Sequence, residues 1–196
     1  MTNTLTGQNL RVQWSDFGGR IPSNRPANQA AFTSASFSLS DFNIVQAYAA
    51  IGIRMPNAQN DLGFVIDNLR IHVTLNRVRM WSVAASRTPE LLTHEQGHYD
   101  IVALVMSDLF NDLVSPPTVL TTTSAVQQFA NVLITEAQRR IRVMESSATQ
   151  DGLYDRQTNH SEDSVAQAKW NRAFSNARPP VGMRFDLSLE SQGIII

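Results

Sequence analysis

Apolar residues along the second half of the chain fall at helical spacing. Ile101, Leu104, Val105, Leu109 and Leu113 keep one register until Pro116-Pro117 stops it. Upstream, Thr88-Pro89-Glu90 reads as the start of that same helix, with Thr88 as N-cap, proline in the first position and an acid in the first turn. A second helix is predicted from about Ser124 to Ser146, with Val126, Phe129, Ala130, Leu133, Ala137, Ile141 and Met144 as its apolar stripe and Glu136 and Glu145 flanking it. A third is predicted from about Asp163 to Asn176, with Ala166, Trp170, Ala173 and Phe174 inward, ended by Arg178-Pro179-Pro180. Between them, the stretch around Gly152 and on through Leu153 to His160 has no clear period and reads as a loop.

The first part of the chain, to about Val83, alternates with a period of two and reads as strands and turns. Leu10, Val12 and Trp14 alternate with polar neighbours until Gly18-Gly19. Arg20 to Gln29, with Pro22 and Pro26, is a loop. Val45, Ala47, Ala49, Ile51, Ile53 and Met55 hold every second position before Pro56. Leu69, Ile71, Val73 and Leu75 share one parity and Val78 and Met80 the other, which requires a turn or bulge near Asn76-Arg77. At the far end Val181, Met183, Phe185, Leu187 and Leu189 alternate and predict a returning strand over 181–190. Strands first and helices afterwards predict an α+β class: a small twisted sheet, a central helix and a backing helix.

Composition narrows this only a little. At 196 residues and 42% hydrophobic content, a single domain with a sizeable core is the expectation. The net charge of -1 and the lack of a long basic run argue against nucleic acid as a partner. Arg139, Arg140 and Arg142, the densest basic cluster, read as a solvated helix face. No stretch is long and apolar enough to span a membrane and no secretion signal opens the chain, so the expectation is a soluble protein whose compartment stays open. Without cysteine, any metal must be held by His, Asp or Glu.

The chemistry concentrates in the first predicted helix. His94-Glu95-Gln96-Gly97-His98 is the H-E-x-x-H pattern, in a chain with only 4 histidines. Four residues advance a helix by slightly more than one turn, so both imidazoles lean over one face and reach one ion, with Glu95 beside them. Zinc suits imidazole donors and lowers the pKa of a bound water, whose proton the glutamate can take. The predicted activity is therefore a zinc metallopeptidase, with peptides or proteins as substrates and Glu95 as general base. An edge strand beside such a helix receives substrate as an added strand, and the run from Leu69 to Val83 is the candidate. His72 lies on the polar face of that run and reads as a solvent-exposed residue.

A third donor is needed. The extended motif fails, since Ile101 and Leu104 stand where glycine and histidine would be, and Asp100 is rotated by more than about 90° around the helix from His94 and His98. His160 is the preferred third ligand, with Glu136, Glu145 and Asp155 as alternatives. Tyr154, in the same stretch as His160, is a candidate hydrogen-bond donor to a developing oxyanion. The rival readings are a zinc-binding structural or interaction domain without turnover, and an effector or toxin protease with one target.

Leu91 to Ile101, containing His94-Glu95-Gln96-Gly97-His98, together with Tyr154-Asp155-Arg156-Gln157-Thr158-Asn159-His160 and Trp14-Ser15-Asp16-Phe17, resembles a bacterial family of uncharacterised secreted zinc-dependent proteases in the zincin superfamily. The family has glycine after the last histidine, where this chain has Ser161. The resemblance implies a zincin-like fold and a peptidase activity, and fixes no substrate.

Overall fold

The computed structural model describes residues 2–47, 63–145 and 151–196. Seven short strands precede five helices among these residues. The strands are β1 (Thr4–Thr6), β2 (Ala31–Phe32), β3 (Ala35–Leu39), β4 (Asn43–Gln46), β5 (Phe64–Asp67), β6 (Arg70–Leu75) and β7 (Trp81–Ser82). The helices are α1 (Pro89–Val114), α2 (Thr123–Met144), α3 (Leu153–Thr158), α4 (Ser164–Ala177) and α5 (Phe185–Ser191). The class is α+β, as the order of periodicities predicts.

Everything is built on α1. Thr88 Oγ1 accepts from the Leu91 amide and Pro89 opens the helix, as read from the sequence. Burial covers 16 of its 26 residues and is unbroken from Gly97 to Met106, so the helix is walled in on all sides rather than along one stripe. β6 supplies one wall. Its Ile71 and Val73 are fully buried while Arg70 and His72 face outward, giving a sheet with one dry and one wet face. β6 is the middle strand of three, parallel to β1 (Leu5 opposite Ile71) and antiparallel to β3 (Phe37 opposite Val73). α2 and α4 pack on other sides of α1. No helix among the described residues is long and apolar enough to cross a membrane.

Several expectations are corrected. The run from Leu69 to Val83 does turn at 76–79, but it is not a free edge. β6 has neighbours on both sides and β7 pairs with β2 (Phe32 opposite Trp81). Leu10 to Ser15 is not a strand. Val12 is buried and its amide donates to Gln96 Oε1 of α1, and a single 3-10 turn follows at Trp14–Asp16, so the alternation marks a strap laid on the helix. Of the predicted strand from Val45 to Met55, β4 is the start; residues 48–62 lie outside the described residues. The returning strand over 181–190 is instead α5. Phe185 and Leu189, buried and four apart, fit a helix as well as their parity fits a strand, and Asp108 of α1 decides by accepting the Phe185 amide at the helix start. Leu153 to Thr158 is a helix rather than loop, because six residues are too few to display a period. Arg140 is buried, not solvated, within reach of Asp108 and Asp186 at 3.5 and 3.8 Å.

Candidate metal centre

His94 and His98 project from one face of α1 with ring centroids 5.0 Å apart. α3 and the turn after it bring Asp155 and His160 onto the same face. The three imidazoles converge on one atom of Asp155. Asp155 Oδ1 lies 2.9 Å from His94 Nε2, 3.2 Å from His98 Nε2 and 3.4 Å from His160 Nδ1. His94, Asp155 and His160 offer ligand atoms all within 4.8 Å of one another, a grouping able to hold a metal ion. All of them except His160, which is half-buried, are buried.

The turn that delivers His160 is unusual. Asn159, His160 and Ser161 have φ of 46°, 52° and 82°, three consecutive left-handed residues without a glycine among them. Such conformations cost energy for residues with a Cβ and persist where surrounding structure imposes them. Glycine would relax Ser161.

Each imidazole is gripped from behind by its other nitrogen. His94 Nδ1 lies 3.1 Å from Gln167 Oε1 and 3.3 Å from Thr158 Oγ1. His98 Nδ1 is 3.2 Å from Glu145 Oε2, and His160 Nε2 is 3.3 Å from Asp151 Oδ2. For His94 the tautomer follows from backbone anchors, which cannot be reassigned as side-chain amides can. The Tyr154 hydroxyl donates to the His94 carbonyl at 3.1 Å, so its oxygen must accept from Gln167 Nε2 at 2.7 Å. That turns Gln167 Oε1 toward the ring. Thr158 donates to the Tyr154 carbonyl at 2.8 Å, so its oxygen also can only accept from the ring. His94 Nδ1 therefore carries the proton, and in the neutral ring Nε2 presents a lone pair to the centre.

Electrostatics bind the cluster together. Burial works to raise the Asp155 carboxyl, but His98, His160 and His94 around it hold it far below the usual carboxylate range. Burial works against a charged His98, and the Asp155 and Glu145 carboxylates outweigh it, raising His98 well above the ordinary imidazole value. His160 is raised by its hydrogen bond to Asp155. Burial raises Glu145, opposed by His98.

Glu95 is buried, and its Oε2 has no hydrogen-bond partner among the described residues. It lines a small cavity with His94, His98, Asp155, His160, Leu91 and residues Gln29 to Phe32. The cavity admits a water-sized occupant and little more. The strand beside the centre is thus β2, not the run from Leu69 to Val83.

The other sequence candidates fall in different places. Glu136 is exposed and paired with Arg139 at 2.8 Å, away from the imidazoles. Glu145 meets His98 at the outer nitrogen. His72 is exposed and hydrogen-bonded to Thr6. Tyr154 is fully buried, stacked on the His94 ring at 4.6 Å, with its hydroxyl committed to the His94 carbonyl and Gln167. Gln167 was missed by sequence reasoning. A polar residue three before Trp170 on the inward face of α4 is the signal that could have found it. No protein-family model, curated protein or solved structure matches the chain, so the function of the centre has to be argued from its own chemistry.

Proposed function

We propose that the chain is a zinc-dependent peptidase of zincin type, in which His94, His98 and His160 hold the ion and Glu95 is the general base. The observation that carries this reading is the carboxylate oxygen of Glu95 that has no partner among the described residues, buried in the same cavity as three imidazoles. A buried acceptor with no donor is costly, and such atoms are retained where a ligand or a proton completes them. The donor set is imidazole and carboxylate without thiolate, each ring held by an outer acceptor, which suits zinc. The resemblance of the two histidine blocks to the bacterial zinc-dependent proteases points the same way.

Zinc, when bound, would act as a Lewis acid toward a water and a peptide carbonyl. The residues do the rest. Glu95 takes a proton from the attacking water as the new C–O bond forms, then delivers it to the departing amine as the C–N bond breaks. Gln167, oriented by Tyr154, and Thr158 accept the His94 Nδ1–H, which leaves Nε2 as the nitrogen that would hold the ion. β2 is the strand closest to hand for aligning an extended substrate.

Replacing Glu95 by Gln removes the base and keeps size. Glu95→Gln should bind zinc as the parent does and lose about 10²- to 10⁴-fold in hydrolysis of a peptide the parent cleaves. Loss of zinc in this variant, or retained hydrolysis, overturns the assignment. The tightness of the cavity favours a second reading, a zinc-binding structural domain without turnover or an effector protease that opens only for one target. A parent chain that binds zinc yet cleaves nothing in a broad peptide and protein screen supports that alternative.

A further inference from the structure

We propose that Asp155 is itself a metal ligand, so that the centre is a cage of three histidines and one aspartate. This rests on the metal-binding part of the reading above and extends it. The first argument is distance. Ligand atoms on a tetrahedral zinc with bonds of about 2.0–2.1 Å stand roughly 3.3 Å from one another. Asp155 Oδ1 stands 2.9, 3.2 and 3.4 Å from nitrogens of His94, His98 and His160, and the ligand atoms of His94, Asp155 and His160 all lie within 4.8 Å of one another, a group from which His98 is left out.

The second argument is hydrogen-bond accounting. His94 Nδ1 faces two groups that only accept, Gln167 Oε1 and Thr158 Oγ1, and carries a proton. His98 Nδ1 faces the Glu145 carboxylate and His160 Nε2 faces the Asp151 carboxylate, so these also donate outward. If the rings are neutral, three lone pairs then turn toward one carboxylate oxygen. Lone pairs do not attract one another, and a divalent cation between them makes the arrangement favourable. The metal-free alternative needs imidazolium rings, or protons on the outer acids Glu145 and Asp151, crowded within a few ångströms of Asp155 in a largely buried site. A divalent ion satisfies every group with neutral imidazoles.

Asp155 is distinct from the other acids around the site. Glu145 and Asp151 touch the outer nitrogens and orient rings, whereas Asp155 touches only the inner ones among the three histidines. It follows that Asp155 fills the position an attacking water would take in a four-coordinate site. Substrate entry then requires this carboxylate to give way or to share the ion.

Cobalt(II) is the probe, because its visible bands report the donor set directly. Cobalt titrations of the parent chain, Asp155→Asn and Glu145→Gln should show one site in the parent. Asp155→Asn should lose more than about 100-fold in affinity, beyond the cost of removing an outer partner, and move the cobalt bands. Glu145→Gln should lose less and leave the band positions in place. Cobalt affinity of Asp155→Asn within threefold of the parent, with unmoved bands, overturns the inference while leaving the three-histidine reading intact. If Asp155→Asn does not fold, infrared difference spectra of the parent chain with ¹³C-carboxyl-labelled aspartate decide. A metal-dependent shift of an aspartate carboxylate stretch supports ligation, and its absence overturns it. A parent chain that takes up neither cobalt nor zinc overturns both this inference and the function on which it rests.

Discussion

At the scale of single residues, the centre depends on side chains that never face it. Tyr154 is a candidate oxyanion donor by sequence, and its hydroxyl sits between the His94 carbonyl and Gln167, where it fixes which way the Gln167 amide points. Tyr154→Phe frees that amide to rotate and present N–H to His94 Nδ1. The expected result is about a 10- to 100-fold loss of zinc affinity, measured by competition with a chelating dye. An oxyanion role would leave zinc affinity unchanged and lower only turnover. Gly97, between the two histidines, has a structural reason too, since a Cβ there would run into the Tyr154 ring. Gly97→Ala should cost about 1–3 kcal/mol in urea unfolding through overpacking. Ser161, at φ 82°, predicts the opposite sign: Ser161→Gly should stabilise by up to about 1 kcal/mol, and a loss of stability would mean the hydroxyl makes up for the strain.

At the scale of elements, the helices were legible where they are long and capped. α1, α2 and α4 begin within a residue or two of the predicted starts, because Thr88, Thr122 and Asp163 accept amide protons at their N-termini. His94, Glu95 and His98 could be brought together from spacing alone, since a helix fixes their relative positions. Asp155 and His160 could not be ranked in the same way. Their approach depends on a six-residue helix and on three left-handed residues that no glycine announces. α5 was hidden for another reason. Positions four apart share a parity, so Phe185 and Leu189 fit both periods, and the choice lies with Asp108, about eighty residues earlier. Asp108 also faces Arg140, so Asp108→Ala should leave a buried cation short of its partner and α5 without its first hydrogen bond. The expected loss is about 3–5 kcal/mol by urea denaturation. A change below about 1 kcal/mol would mean that Asp186 alone neutralises Arg140.

At the scale of the whole molecule, the centre joins parts of the chain that are distant in sequence: α1 from the core, and α3 with its following turn. An ion bound there holds only in the folded chain, so it is linked to global stability. Free zinc at about 100 times its Kd should stabilise the fold by about 2.7 kcal/mol, and a chelator should remove that increment. The measurement that tests the account most directly is zinc uptake by the purified chain alongside His160→Ala and His72→Ala. One zinc per parent chain, retained by His72→Ala and lost or greatly weakened in His160→Ala, is the predicted result. Zinc content near zero in the parent even after zinc is added, or equal affinity in all three chains, would contradict it.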